Sequence, residues 1–317
     1  MPRAPITGGS RSGASTTCRE LRVVARRELA PAAIGPADAE ARLIVEHVSG
    51  YDAGEWLEIA DAAPLARAER QLRDLVQRRV AGEPLQYVLG GWEFRGLDLF
   101  VDRRVLIPRP ETEYVVEVAL EEAARSGLRR SRRGVASVEP SVTAASAPVA
   151  DIGTGSGAIA IAIAAELPDV TVWATDVSED ALTVARANVS GCAATRVRIG
   201  ASGDWFDPLP SALRGSFRLI VSNPPYVAEH KVAGLPEEVA AHEPRGALVS
   251  GPSGTEAIET LLARAPDWLA PGASFVCEIA PHQAVAMIEY ARARGYHEVM
   301  VRDDLTDRPR VLVARAG

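Results

Sequence analysis

A glycine-rich segment reads Asp-Ile-Gly-Thr-Gly-Ser-Gly at residues 151–157, between a short apolar run and a helical pattern. Glycines allow the backbone to turn tightly and approach a ligand closely, and N–H groups at the start of the following helix point toward that ligand. The spacing Gly-x-Gly-x-Gly differs from the Gly-x-Gly-x-x-Gly of dinucleotide enzymes. A preceding acid is typical of sites for S-adenosylmethionine. A turn that only packs a helix on a strand is the alternative interpretation.

A second acid supports the cofactor interpretation. Asp176 ends the next strand pattern, 23 positions after Gly153. A carboxylate at that point can accept hydrogen bonds from both ribose hydroxyls of an adenosine. The cofactor-binding residues predicted from this pattern are Gly153, Thr154, Gly155, Ser156, Gly157 and Asp176.

A further polar motif, Asn-Pro-Pro-Tyr at residues 223–226, ends another apolar strand pattern. Two prolines stiffen the turn and remove two backbone donors, which leaves the side-chain oxygen of Asn223 and free carbonyls as acceptors. Such a site can hold a planar –NH2 group, with Tyr226 as a flat face beside it. A proline-rich turn after a core strand is the simpler alternative.

Together the two motifs predict methyl transfer to an amide or amino nitrogen. An amide nitrogen is a poor nucleophile, and neither motif contains a strong base. Acceptors that hold both N–H bonds can aim the nitrogen at a sulfonium methyl group, and orientation of this kind can contribute roughly 7–11 kcal/mol. A dry, polarised pocket should help, because charge is dispersed in the transition state. The predicted catalytic residues are Asn223, Pro224 and Tyr226, and the predicted substrate-binding residues are Asn223, Pro224, Pro225 and Tyr226.

The elements that must position these motifs form an alternating pattern after Pro148. We predict a doubly wound, seven-stranded α/β domain with a mostly parallel sheet, which binds ligands at the carboxyl ends of its strands. Residues 17–91 show apolar residues at helical spacing and predict a small bundle of four or five helices. The other segments are a disordered tail at 1–16, a β-hairpin connector at 92–106 within the 92–317 domain, and a mobile arginine-rich insertion at 125–148.

Composition narrows the class of protein. The chain has 317 residues, a net charge of −7 and 47% hydrophobic residues. The apolar content is enough for a large core. The acidic net charge lacks the basic footprint that is usual for a nucleic-acid-binding protein. No apolar run approaches the ~18 residues of a membrane span. Three dispersed cysteines indicate a reducing cytoplasm. Five histidines without ligand spacing predict no metal site.

Longer runs carry a family resemblance that covers the chain from about residue 17 to its end. The most specific is Leu-Ile-Pro-Arg-Pro-Glu-Thr-Glu at 106–113. The other matching runs are 84–90, 151–157, 176–178, 204–206, 221–227, 243–248, 278–279 and 307–310. With these motifs the chain resembles the HemK-type peptide chain release factor N5-glutamine methyltransferases, which are class I S-adenosylmethionine-dependent enzymes.

The resemblance implies methylation of the glutamine in the Gly-Gly-Gln motif of bacterial class I release factors. It implies that Trp205 lies beside the adenine of S-adenosylmethionine, that Asn223 touches both substrates, and that the helical domain grips the release factor. We expect a monomer. Three features depart from the family pattern. The insertion at 125–148 is longer than the family's usual link, and its role stays open. Arg95 replaces an aromatic residue, and Gly-Pro-Ser-Gly at 251–254 replaces a Gly-Gly-x-Asp-Gly type of segment, so we assign no site there.

Three other functions remain open at this point. A DNA adenine or RNA guanine methyltransferase could use the same Asn-Pro-Pro-Tyr site, although the acidic charge and small helical domain speak against it. A glutamine methyltransferase of a ribosomal protein is separated poorly by sequence. A non-catalytic S-adenosylmethionine-binding protein would not need the acceptor pocket that Asn223 and Pro224 form.

Overall fold

The computed structural model describes residues 16–32, 35–49, 56–64, 67–130 and 147–317. The chain divides into two compact units, Met1–Leu89 and Gly90–Gly317. The predicted tail, apart from residue 16, and residues 131–146 of the predicted insertion lie outside the described residues. No helix in the described ranges is long and apolar enough to cross a membrane.

The described residues of the first unit form five α-helices. They are α1 (Cys18–Leu29), α2 (Ala37–Ser49), α3 (Trp56–Ile59), α4 (Ala68–Val80) and α5 (Leu85–Leu89). Helix α1 begins with a capping box in which the Thr17 hydroxyl accepts from the Glu20 N–H and the Glu20 carboxylate accepts from the Thr17 N–H. The apolar positions at helical spacing form one buried core, which includes Leu21, Ala25, Ile44, Val45, Leu72 and Val76. The predicted helical bundle is therefore confirmed.

The second unit opens with a hairpin of β1 (Gly91–Phe94) and β2 (Leu97–Phe100), followed by α6 (Pro110–Arg125). Arg95 lies in the hairpin turn with a φ of +50°. Its guanidinium donates to the carboxylates of Glu117 and Glu166, at 3.0 and 2.7 Å. The arginine that departs from the family pattern thus holds the hairpin by an ion-pair network.

A seven-stranded mixed sheet forms the centre of this unit, as predicted. The strands are β3 (Ala147–Ile152), β4 (Val170–Thr175), β5 (Val197–Ile199), β6 (Phe217–Ser222), β9 (Leu269–Glu278), β10 (Glu298–Asp303) and β11 (Pro309–Arg315). Their order in the sheet is β10-β11-β9-β6-β3-β4-β5, with β11 antiparallel to both neighbours and the pairs from β9 to β5 parallel.

Both flanks of the insertion predicted at 125–148 have regular or paired structure. Arg125 ends α6, and residues 147–148 already belong to β3. Arg130 forms ion pairs with Glu117 and Glu166, so this arginine is held against the helical layer and is not solvated freely.

Helices cover both faces of the sheet. They are α6, α7 (Ala158–Glu166), α8 (Glu179–Gly191), α11 (Glu256–Arg264) and α12 (Ala284–Ala293). Two short helices, α9 (Glu237–His242) and α10 (Arg245–Leu248), lie between β6 and α11 in the chain. Alternate residues of β6 enter different cores: Leu219 and Val221 join the one that contains α6 and α7, and Ile220 joins the one that contains α11 and α12. A short parallel pair, β7 (Val227–Ala228) with β8 (Val249–Gly251), follows the Asn-Pro-Pro-Tyr motif and was not predicted.

Candidate active site

The strand register aligns four polar or flexible positions along the carboxyl edge of the sheet. Ile152 pairs with Thr175, Asp151 with Val221, and Ser222 with Cys277. The residues that follow these levels are Asp176, Gly153, Asn223 and Glu278, in that spatial order. With neighbouring strands ~4.8 Å apart, the row spans about 14 Å. The chain doubles back between β3 and β6, so the row lies at the topological switch point where such sheets bind ligands.

A cavity of about 570 Å³ opens at this edge. Its volume is in the range of small-molecule sites. Nine of the predicted site residues line it: Gly153, Thr154, Gly155, Ser156, Asp176, Trp205, Asn223, Pro224 and Pro225. Gly157 and Tyr226 do not line it. The structure therefore brings the two motifs to one cavity.

The glycine turn uses left-handed backbone at Gly153, Gly155 and Gly157, with φ of +75°, +55° and +85°. A side chain on Gly155 would meet nothing within 4 Å, so a ligand can come against the bare backbone there. Gly157 caps α7, and a Cβ at this position would lie 3.4 Å from the Cβ of Ala185. Gly157 thus allows α7 to begin close to α8.

Asp176 accepts hydrogen bonds from backbone N–H groups through both of its oxygens. The Gly155 N–H donates to Oδ2 and the Ser178 N–H to Oδ1, each at 2.9 Å. Burial raises the pKa of this carboxyl above its usual range. A carboxylate offers about four acceptor positions, so acceptor capacity remains for a hydroxyl group in the cavity beside the backbone donors.

Asp151 lies behind the turn and is fully buried. Its Oδ2 accepts from the Thr154 hydroxyl at 2.6 Å and from the Ala160 N–H at 3.1 Å, while Oδ1 has no partner among the described residues. Burial raises the pKa of Asp151 to about 7. The acid that precedes the glycines therefore ties the turn to the first turn of α7.

Trp205 has a φ of +48°, which is rare for a residue other than glycine. Its carbonyl accepts from the Thr175 hydroxyl at 2.8 Å. The indole reaches the glycine turn, since its Cζ3 would lie 3.9 Å from a Cβ on Gly153. Uncommon backbone held by surrounding structure is often found at ligand sites.

A hydrogen-bond chain fixes the side chain of Asn223. Its Nδ2 donates to the Thr112 hydroxyl at 3.0 Å, and that hydroxyl donates to Glu278 Oε2 at 2.7 Å. The Tyr226 hydroxyl donates to Glu278 Oε1 at 3.1 Å. Burial raises the pKa values of Glu278 and Tyr226. The Tyr226 hydroxyl thus contacts a carboxylate, which fixes one end of its side chain.

The loop that carries Asn-Pro-Pro-Tyr is held from behind by two residues with no predicted role. Gln283 Nε2 donates to the carbonyls of Tyr226 and Gly254, at 3.2 and 2.8 Å. Gly254 has a φ of +87°, and a Cβ there would lie 2.8 Å from the Tyr226 carbonyl oxygen and 2.9 Å from the Ala228 nitrogen. Only glycine fits this close approach.

Sequence reasoning assigned no role to Thr112, Glu278 or Gly254. One signal was available for Glu278, because an acid that ends the apolar run Phe-Val-Cys at 275–277 must lie at the same sheet edge as Asn223. Thr112 lies 166 positions from Glu278 along the chain, and no local pattern could pair them.

The residues in this cavity fit the adenosine group of S-adenosylmethionine. The bare backbone at Gly155, the remaining acceptor capacity of Asp176 and the indole of Trp205 suit a nucleoside with hydroxyls and a flat base. Arg104 also lines the cavity, and its guanidinium pairs with the carboxylate of Asp102.

Two family models match the chain. Residues 20–90 match the PrmC N-terminal domain, and residues 138–245 match the Methyltransferase small domain. Among solved structures, the hMettl16 catalytic domain in complex with an RNA hairpin is similar, with a TM-score of 0.52 and 15% identity over 79% of this chain and 80% of that chain. At this identity the likeness concerns the fold alone.

Curated relatives are much more similar. A release factor glutamine methyltransferase of Bordetella pertussis is 40% identical over 86% of this chain and 92% of its own length. The enzyme of that name from Deinococcus radiodurans is 35% identical over 94% of this chain and 98% of its own. The fold is that of the class I S-adenosylmethionine-dependent methyltransferases, whose methyl donor is S-adenosylmethionine. The chain belongs to the family of release factor glutamine methyltransferases.

Proposed function

We propose that this protein methylates the side-chain amide nitrogen (N5) of the glutamine in the Gly-Gly-Gln motif of bacterial class I release factors. The observation that carries the proposal is the hydrogen bonding of the Asn223 side-chain amide. Its Nδ2 is engaged by Thr112, and its Oδ1 has no hydrogen-bond partner among the described residues. An amide oxygen that lines the cavity one strand from the glycine turn suits a primary amide donor.

Within this proposal, the residues of the glycine turn and its neighbours hold the cofactor. The backbone at Gly153–Ser156 lies against it, Asp176 accepts from the ribose hydroxyls, and Trp205 lies beside the adenine. When bound, S-adenosylmethionine supplies an electrophilic methyl group on a sulfonium centre.

The substrate residues act by orientation. Asn223 Oδ1 and the backbone carbonyl of Pro224 accept from the two N–H bonds of the glutamine, which turns the nitrogen lone pair toward the methyl group. Such positioning can contribute several kcal/mol, within a range of roughly 7–11 for favourable cases. After transfer the nitrogen is cationic and strongly acidic, so it loses a proton without a strong base.

The helical unit is the proposed site of release factor recognition. A single glutamine side chain cannot identify one protein among many, so contacts distant from the chemistry must provide specificity. The match of residues 20–90 to the PrmC N-terminal domain supports this assignment. The unit also exposes Val23, Val24 and Leu57. Because release factors act on ribosomes, we place the enzyme in the cytoplasm, as a monomer with no direct nucleic-acid contact.

The experiment combines labelled S-adenosylmethionine with purified release factors and maps the labelled residue by mass spectrometry. We expect label on the Gly-Gly-Gln glutamine and a loss of orders of magnitude in Asn223→Ala. Thr195→Ala, at an exposed polar residue outside the cavity, is the matched control and should act like the wild type. A release factor with asparagine in place of the glutamine should not react, because its shorter side chain cannot reach the acceptors.

Label on a ribosomal protein, or on a nucleic-acid base, with none on release factors would overturn the proposal. Normal methylation of release factor by Asn223→Ala would overturn the role of the amide acceptor and leave the substrate assignment in place.

A further inference from the structure

Glu278 is a buried acid that has no role in the reaction outlined above. Its side chain is 1% exposed. Within the described part of the chain it forms no ion pair within 4.0 Å, although the charge of Arg310 acts on it, and it accepts side-chain hydrogen bonds from Thr112 and Tyr226. Burying a carboxylate without an ion pair is costly. Such groups are candidates for a functional role when they lie next to a site.

The chemistry of these groups sets the direction of the hydrogen bonds. Each oxygen of Glu278 receives a hydroxyl donor, and the nearby positive charge of Arg310 also favours the ionised form, so we take this carboxyl as an ionised acceptor. A threonine hydroxyl has a single proton to donate. Because the Thr112 proton goes to Glu278, the Thr112 oxygen can only accept from Asn223. The –NH2 group of Asn223 therefore faces Thr112, and the Oδ1 atom of the same planar amide points away from Thr112.

We propose that Glu278 and Thr112 are positioning residues that select the orientation of the Asn223 amide. This inference rests on the proposed function, in which Asn223 Oδ1 accepts from the glutamine –NH2 group. Without the hydrogen bonds that link Glu278, Thr112 and Asn223, the Asn223 amide can rotate by 180°. Its –NH2 group would then face the –NH2 group of the glutamine, and both groups are donors. The buried acid thus makes the site an acceptor, although it does not touch the substrate.

The test compares variants of the full-length protein at residue 112. Thr112→Val keeps the branched shape and removes the hydroxyl, Thr112→Ala removes it in a smaller side chain, and Thr112→Ser retains it. Since a misplacement of about 1 Å can cost on the order of 10²-fold in rate, we expect kcat to fall at least tenfold in the first two variants. Thr112→Ser should stay near the wild-type rate. The KM for S-adenosylmethionine and the thermal shift by its demethylated product should not change.

Thr112 also lines the cavity, so a direct contact with substrate must be separated from action through Asn223. In an Asn223→Ala background, Thr112→Val should cause little further loss, because the group it orients is absent. Additive losses would overturn the inference, as would wild-type kcat in Thr112→Val. A wild-type enzyme that does not methylate the glutamine would instead overturn the proposed function.

Discussion

Gly254→Ala tests whether the segment behind the Asn-Pro-Pro-Tyr loop controls the active site. The added Cβ would lie 2.8 Å from the carbonyl oxygen of Tyr226 and 2.9 Å from the nitrogen of Ala228. Both contacts are with backbone, which cannot rotate away as a side chain can. Restoring ordinary contact at 3.4 Å requires a shift of about 0.6 Å in the loop.

The expected loss in the free energy of unfolding has two parts. Alanine in the left-handed backbone conformation costs roughly 1–2 kcal/mol. Overpacking against fixed atoms adds typically about 1–3 kcal/mol. The loop that moves carries Asn223, and a displacement of about 1 Å at a catalytic group costs on the order of 10²-fold. We therefore expect kcat to fall between about ten- and a hundred-fold.

The assay measures kcat on release factor together with the free energy of unfolding by denaturant. Gly215→Ala is the matched control, because Gly215 has a φ of +69° but nothing within 4 Å of its Cβ position. That variant should lose only the stability that alanine costs in the left-handed conformation, and its kcat should equal that of the wild type. If Gly254→Ala keeps the wild-type kcat, or loses no more stability than Gly215→Ala, the close approach does not control the loop.

The remaining predictions concern three carboxylates. Asp176→Ala should abolish most of the thermal stabilisation by S-adenosylmethionine, which at 100 times Kd is about 2.7 kcal/mol in the wild type; an unchanged melting shift would remove Asp176 from the cofactor site, and Asp180→Ala is the nearby control. Burial raises the pKa of Asp151 to about 7, so the folded state binds the proton more tightly and the free energy of unfolding should fall as pH rises from about 4 to 7. Asp151→Asn should lose this dependence in denaturant titrations of the ligand-free protein, and parallel curves for the two proteins would contradict it. Burial alone would raise the pKa of Glu122, but hydrogen bonds from Arg315 and other donors hold it at about 2. Its contribution to stability should therefore be complete above pH ~4.5 and disappear as pH falls toward ~2, and Glu122→Gln should show a flatter acid limb.

Much of the fold could be predicted because its signals are local. Each apolar run after Pro148 followed by a helical pattern predicts one strand–helix unit, and consecutive units of this kind form a parallel sheet. The left-handed turn at Gly153 and the stiff turn at Pro224 follow from residue type alone. The short strands Val227–Ala228 and Val249–Gly251 escaped prediction, since two or three residues carry no periodic pattern.

The parts of the candidate site and their common sheet edge were predicted, whereas the level of each residue along that edge was not. Residue types indicated acceptors at Asp176 and Asn223 and bare backbone at Gly155. The sequence also predicted that both motifs follow strands of one sheet. It could not show that Asn223 stands level with Gly153, because the register depends on pairing between strands that are far apart in the chain.

The roles of single side chains depended most on tertiary structure. By type, Tyr226 is suited to face a ligand, yet its hydroxyl turns to Glu278. Residue type leaves both ends of the Asn223 amide equivalent, and a contact with Thr112 decides between them. A hydrogen-bonding group takes its orientation from the partners within reach, and those partners come from segments that only folding brings together. The sequence by itself therefore determined which chemical groups are available, whereas the tertiary structure decided which way each one faces.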